Sequence, residues 1–444
     1  MKPSDIFHKD FKLEPYWWEE FRPSTGDGDS PPQRIDVAII GGGFTGLACA
    51  VELAEAGISS VVLDAKKLGE GASTRNFGSI GLGTIKTGKT FTGKILTYPP
   101  ETTRALAAAG AESFALVEEL IRREDIGCFW EKRGRFSGAW SHKAYRTLSR
   151  VAENAKDPQN LYMIPPERQH EELASDYYFG GMIDERQATL HPALFYKGML
   201  DAARRRQIPV YSDTPATRIA AFNGGWIVET PRGSIQADKV VIATNGYTGD
   251  VTKQLKRRLI PVTPHVVVTE ELPPELVNLI SPKGRIISSY KRVGEYFRIS
   301  HDRKRLIIGG RPRFTNVGPE VTGPIFLSFV HRMFPQFKGV RLAYDWSGSV
   351  AFTFDALPHM GVMDGLYYAV GCNGSGVARM TLLGHRTAQK IAGHGYPDCG
   401  FELPDFPDMN FYSGDPSWAL PVIGSYYRLR DRMERTFSRR RPSA

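Results

Sequence analysis

The chain has 444 residues, 41% hydrophobic and 24% charged, with a formal net charge of +9. That length exceeds one compact core and points to two domains or one large composite domain. No apolar run approaches the roughly 18–20 residues that span a bilayer, so no transmembrane segment is expected. The first ten residues are polar and lack the apolar core of a signal peptide. Four scattered cysteines (Cys49, Cys128, Cys372, Cys399) form no CxxC pair. A disulfide framework and a zinc site are therefore not expected, and a reducing, cytoplasmic setting is. The excess positive charge is uneven. Residues 428–441 carry seven arginines against Asp431 and Glu434. This reads as a solvated basic tail, with no nucleic-acid partner expected.

Residues 1–34 form a leader whose aromatic knot, Tyr16-Trp17-Trp18, is suited to pack onto the body. The informative stretch follows. An apolar run at Val37–Ile40 enters Gly41-Gly42-Gly43-Phe44-Thr45-Gly46, then a helical pattern to Gly57, then a second apolar run, Val61–Leu63, ending at Asp64-Ala65. Strand, glycine turn, helix, strand and acid is the pattern of a dinucleotide site. Gly41 permits the turn, Gly43 lets backbone approach a pyrophosphate, and Gly46 lets helix and strand pack closely. The helix N-terminus offers free N–H groups to phosphate. Asp64, 23 residues after Gly41, stands where a carboxylate grips a ribose diol.

The next loop, Gly69 to Ser79, contains Ala72-Ser73-Thr74-Arg75-Asn76-Phe77-Gly78. Ser73 and Arg75 are suited to give a diphosphate a donor and a charge. Gly83 to Thr90 matches GxxxxGK[ST] but lacks the buried strand before it and the helix after it, so no nucleotide hydrolysis is expected. Helical periodicity covers 101–124, 143–155 and about 194–204. Period-two alternation runs from Pro209 to Ala243 and ends at Thr244-Asn245-Gly246. Further strands are expected at 261–270, 295–300, 305–310 and 366–370. The last leads through Gly371-Cys372-Asn373-Gly374-Ser375-Gly376 into a helix from Val377. This is a second glycine turn whose N–H groups can hold an anion or polarise a ring carbonyl.

Together GGGFTGL, GASTRNFGS, ATNGYTG, YFRIS with LIIGG, DWSG with PHMG, and GCNGSGV occur in the order of the FAD-dependent D-amino-acid, glycine and sarcosine oxidases. The chain resembles that family from about Asp36 to Gly393, with the gamma-glutamylputrescine oxidase branch nearest. The resemblance implies an α/β fold: a discontinuous Rossmann-like FAD-binding domain (35–97, 187–260, 341–397) and an antiparallel β-sheet substrate domain with helices (98–186, 261–340), followed by a tail (398–444). It implies that Gly41, Gly43 and Gly46, with Phe44 and Thr45, hold the FAD pyrophosphate, and that Asp64 with Ala65 holds the adenosine ribose. Ala72 to Ser79 would line the diphosphate and flavin side. Ala216 would meet the adenine, and Thr244, Asn245 and Gly246 would close over the cofactor. Gly374, Ser375, Gly376 and Val377 would sit at the flavin ring. The implied chemistry is hydride removal from a carbon bonded to nitrogen in a small-molecule amine or amino acid, with oxygen or another acceptor re-oxidising the flavin.

Ser375 stands where many members have histidine. No arginine follows Trp346-Ser347-Gly348, where amino-acid oxidases place the partner of the substrate carboxylate. This favours an amine with a polar or acidic far end over a plain D-amino acid, unless Arg298 or Arg311 takes that role. The flavin-tethering cysteine has no counterpart at 349–353, so FAD is expected to be noncovalent. The catalytic-side candidates are Ser375, Arg298, His265 and Trp346. Arg298 could equally be an ordinary structural pair. The alternatives are a D-amino-acid or N-methyl-amino-acid oxidase or dehydrogenase and, in another class, a non-catalytic flavin-binding subunit or a tRNA-modifying flavoprotein.

Overall fold

The computed structural model describes residues 3–28, 30–82, 98–155, 157–313, 317–393, 399–409 and 411–439. The P-loop-like stretch 83–90 lies outside the described residues. Two large sheets organise the chain. The first has its strands in the order 218–222, 225–230, 233–242, 34–40, 60–63 and 210–211. Strand 34–40 is parallel to both neighbours, with Ile40 opposite Ile242 and Leu63. Its inner residues Val37–Ile40 are buried, as are Val61–Leu63 beside it, which is what a parallel strand covered on both faces requires. Strand 233–242 changes partner along one edge. Its first half pairs antiparallel with 225–230, and Val241 and Ile242 pair parallel with 366–370. The opening between these partners sets the carboxyl ends of three parallel strands around one crevice, where open α/β sheets bind ligands.

Helices Phe44–Glu55, Pro192–Arg205 and Gly376–Ala392 cover one face of this sheet. Helix Pro100–Arg123 packs in the same core: Leu106, Ala109, Val117 and Leu120 join Leu47 and Leu383. This corrects the allotment of 98–186 to the substrate domain for helix 100–123 alone, because its apolar stripe is buried against the helix after the second glycine turn.

The second sheet has nine strands, in the order 7–12, 342–347, 265–269, 306–310, 296–299, 286–290, 135–139, 181–184 and 161–164. It is mostly antiparallel, but 7–12 runs parallel to 342–347, and 286–290 parallel to 135–139. Two boundaries therefore move. Residues 7–12 are an edge strand of this sheet rather than part of a separate leader. Strand 342–347 lies inside the sheet, with Trp346 opposite Val266, so the segment expected from 341 begins after Gly348. Helix Pro319–Met333 covers the far face with Phe326, Phe329 and Val330. The tail is also more ordered than a solvated one. Tyr412 donates to Leu259 O at 3.0 Å, and helix Leu420–Arg439 follows.

Candidate active site

The first glycine turn is built by close approaches. Gly41 has φ +112°, and a Cβ there would lie 2.7 Å from Ala243 O. A Cβ on Gly46 would lie 2.0 Å from Gly41 O, so only glycine lets helix 44–55 start this close to its strand. Three side chains brace the turn. Ser73 Oγ accepts from Phe44 N at 3.0 Å, Tyr196 Oη donates to Gly42 O at 2.9 Å, and Asp64 Oδ2 accepts from Gly42 N at 2.9 Å. Asp64 Oδ1 accepts from Lys66 N, also at 2.9 Å. Burial raises the Asp64 carboxyl above its ordinary value, against the opposing pull of the Lys66 and Gly42 N–H groups.

A cavity of about 440 Å³ opens at this turn. It is lined by Asp64, Ala65 and Ala216 around the ribose-type acid, by Gly43, Ala72 and Ser73 at the first turn and its bracing loop, and by Thr244, Asn245, Gly374 and Gly376 at the strand end and the second turn. Asn245, just after strand 233–242, holds the second turn: its Oδ1 accepts from Gly371 N at 3.0 Å. Asn373 ties the second turn to strand Val350–Thr353, its Oδ1 accepting from Thr353 N at 3.1 Å. Helix 376–392 begins at the cavity wall, and its N-cap Ser375 makes no side-chain cap. Helix-end N–H groups, side-chain-free walls and a hydroxyl suit a pyrophosphate. A carboxylate suits a ribose, and a second helix N-terminus suits an electron-rich ring edge. The residues present fit FAD.

Of the residues singled out from the sequence, Gly41, Gly43, Phe44, Thr45, Asp64, Ala65, Ala72, Ser73, Asn76, Ala216, Thr244, Asn245, Gly374, Gly376 and Val377 line this cavity. Others support it from behind. Gly46 packs helix on strand. Thr74 Oγ1 accepts from Trp18 Nε1 at 3.0 Å. Asn76 O accepts from Trp17 Nε1 at 2.9 Å, so the aromatic knot clamps the 69–82 loop. Arg75 turns from the cavity: it donates to Glu70 O at 2.7 Å and Ser347 O at 3.1 Å, and lies 4.6 Å from the Trp18 ring. Those two carbonyls and the ring take up its guanidinium. Phe77 packs edge-on against Tyr296 at 4.7 Å. Gly78 N donates to Asn76 Oδ1 at 2.9 Å, and Ser79 Oγ accepts from Arg135 at 2.6 Å. Gly246 O accepts from Ser349 Oγ at 2.8 Å, and Ser375 is exposed beside the cavity rather than lining it. Tyr196, Tyr247, Thr252, Cys372 and Met380 line the cavity without having been singled out for it. Tyr247 and Cys372 lie within the ATNGYTG and GCNGSGV motifs, and no local motif marks the other three. Tyr196 and Met380 are ordinary apolar positions of helical stripes.

The remaining candidates separate by sheet face. Trp346 is buried on the face toward the cavity loop and donates from Nε1 to Arg75 O at 2.9 Å. Arg298 is buried too, donating to Phe77 O at 3.2 Å and Leu190 O at 3.0 Å, and burial lowers its pKa to about 10. His265, whose facing strand alternation left open, lies on the other face. Its Nδ1 is 3.3 Å from Asp345 Oδ1, and Asp345 is hydrogen-bonded to Thr322 of the covering helix. The expectation that His265 borders the substrate is therefore corrected: the pleat turns it into the core under helix 319–333. Arg135 and Tyr296 also meet the loop, at Ser79 and Phe77, and both are partly exposed. Arg311 is partly exposed as well and lies 5.4 Å from the Phe352 ring.

Among the described residues no cluster of His, Cys, Asp and Glu could hold a metal, and no helix is long and apolar enough to cross a membrane. Residues 36–390 match the family model described as DAO, FAD dependent oxidoreductase. The chain is similar to gamma-glutamylputrescine oxidoreductase of Escherichia coli (strain K12), 31% identical over 406 residues, which are 90% of this chain and 93% of that protein. It is also similar to glycine oxidase of Geobacillus kaustophilus, 24% identical over 81% of this chain and 93% of the relative. The crystal structure of glycine oxidase from the same organism superposes with a TM-score of 0.69 at 21% identity, covering 85% of this chain and 99% of that one. L-Proline dehydrogenase from P. horikoshii gives 0.67 at 19% identity, over 83% and 96%. At those identities the structures speak for the fold alone. With a family model spanning the glycine turns, both sheets and the cavity between the turns, this chain belongs to the DAO family of FAD-dependent oxidoreductases.

Proposed function

We propose that this FAD-dependent amine or amino-acid oxidoreductase acts on a primary or secondary amine whose far end carries an acidic group. FAD, when bound noncovalently in the cavity, supplies a hydride acceptor for the carbon attached to the substrate nitrogen. The chain's own part is to hold and orient. Gly41, Gly43, Ser73 and Asp64 would fix the dinucleotide. Gly374 and Gly376 would set the N-terminus of helix 376–392 against the ring edge that gains electron density. The resulting imine would be hydrolysed by water to an aldehyde or keto acid.

The observation that carries the acidic far end is the basic lining beside the loop. Arg135 reaches that loop through Ser79 Oγ at 2.6 Å, and the charges of Arg311 and Arg135 pull the Tyr296 hydroxyl down against the larger raising effect of its burial. The buried Nε atoms of Arg135 and Arg298 have no hydrogen-bond partner. A buried guanidinium N–H left open is suited to a carboxylate oxygen, which it would meet through one charge-assisted bond. The same lining would accept an α-carboxylate, which keeps a D-amino-acid or N-methyl-amino-acid substrate as the second reading. The relatives' names point both ways, to a glutamylated amine and to glycine.

The test is anaerobic absorbance of the flavin-loaded protein, mixed in turn with glutamylated diamines, unmodified diamines, sarcosine and D-amino acids. Bleaching near ~450 nm by the acidic amines and not by plain diamines is the expected result. Bleaching by sarcosine or D-amino acids alone would move the assignment to the second reading. Stable yellow colour with every amine would remove amine oxidation. The rate of re-oxidation in air then separates oxygen from another acceptor.

A further inference from the structure

Helix Leu420–Arg439 is fastened to the body by one face. Arg292 pairs with Asp431 at 2.9 Å and Glu434 at 2.7 Å, and Arg435 donates to Trp140 O at 2.8 Å and Tyr177 O at 2.6 Å. The opposite face carries Val422, Tyr426, Leu429, Met433 and Phe437, between 46% and 70% exposed. At about 100° per residue these five fall within an arc of roughly 80°. Arg430 borders that arc on one side and Arg432 on the other, and both are exposed. The helix's two acids are spent elsewhere, since Asp431 is buried and Glu434 is held by Arg292. An apolar stripe this long, edged by cations and free of acids, is not ordinary protein surface.

We propose that this face docks on an anionic lipid surface, with the helix lying in the plane of the interface. The five apolar side chains would enter the boundary between headgroups and acyl chains, and Arg430 and Arg432 would reach the headgroup phosphates on either side. Charge selects this occupant over a second copy of the chain. A two-fold interface through the stripe would set the arginines of one copy against the same arginines of the other, with no acid on either face to offset them. The association is peripheral, and it leaves the cavity between the glycine turns untouched.

The experiment is flotation of the flavin-loaded full chain with vesicles of phosphatidylcholine alone, or with about a third phosphatidylglycerol. Flotation with the anionic vesicles only, weakening as salt is added, is expected. The double variant Leu429→Glu, Met433→Glu should abolish it, while flavin absorbance and elution volume stay as in the wild type. Arg430→Ser with Arg432→Ser should weaken it roughly 30-fold. Equal flotation with both vesicle types, or none with either, would overturn the proposal. So would a dimer that the Leu429→Glu, Met433→Glu variant dissociates, since a second copy would then own the stripe.

Discussion

On one side of the loop 69–82 the cavity is bordered at its two turns by glycine, Gly41, Gly43, Gly374 and Gly376. On the other, the nine-stranded sheet offers long side chains, Arg135, Tyr296 and Arg298. The glycine side has little freedom, because its shape is set by how near one backbone can come to another. The sheet side is a set of charges whose positions depend on which carbonyl or hydroxyl each one finds. Arg298 finds two carbonyls and acts as a strut. Arg135 reaches only a loop hydroxyl, Ser79 Oγ, and each of the two arginines leaves its Nε open. A cofactor grip centred on glycine turns and the proposed substrate grip of side chains would be free to change independently.

That contrast can be attacked from the glycine side first. Gly46→Val should cost about 3 kcal/mol or more, since a Cβ would meet Gly41 O well inside contact distance. The purified protein should lack flavin absorbance. Retention of full yellow colour would mean that the turn tolerates far more than its geometry indicates.

The ion-pair clamp behind the same half comes next. Glu124 joins helix 100–123 to Arg205 at 2.8 Å and Arg206 at 2.7 Å. Burial works against its ionisation, but hydrogen bonds from Arg206 and Arg205 outweigh that and hold the carboxyl at about 2. A carboxyl depressed in the folded state adds stability above its unfolded value of about 4.3, and loses it as pH falls toward the folded value. Glu124→Gln should thus cost about 2 kcal/mol near neutrality, where Arg206 and the exposed Arg205 lose the buried carboxylate that joins them. Urea titrations should show the gap to wild type closing between about pH 4 and pH 2.

Across the loop, Arg135→Ala should raise KM for an acidic amine roughly tenfold and hardly change it for a neutral one. Arg298→Ala should lower the melting temperature and affect both substrates alike, because its guanidinium holds Phe77 O and Leu190 O. An acid-selective effect at Arg298 instead would exchange the two roles. The smallest effect is expected from His265→Gln, about 1 kcal/mol of stability with kcat and KM unchanged. A fall in kcat would show that the helix-covered face communicates with the chemistry.

The glycine-turn half was legible because its signals are local. Gly41 to Gly46, Asp64 and the turn at 371–376 are defined within a few residues of chain, and the structure sets them around one cavity. Arg75 shows where that reading ran out. A cation in a loop beside a diphosphate site looks like a phosphate ligand. Only folding brings Ser347 O and the Trp18 ring to it from strands and leader far away in the chain. His265 failed for a different reason. Alternation says that neighbours point to opposite faces, but not which face is covered. The tail was misread because seven arginines suggest solvation, whereas Arg435 and Arg292 find buried partners only once the helix docks.

The sequence by itself determined the dinucleotide turn, the ribose acid, the second glycine turn and the family, since each rests on short-range spacing and on glycine's lack of a side chain. The tertiary structure alone decided the rest. It showed that strands 7–12 and 342–347 belong to the second sheet, and that helix 100–123 shares the core of the first. It also showed which carbonyls and hydroxyls Arg75, Arg135 and Arg298 reach. Those outcomes depend on contacts between segments hundreds of residues apart, where burial and hydrogen-bond satisfaction, not local propensity, select the partner.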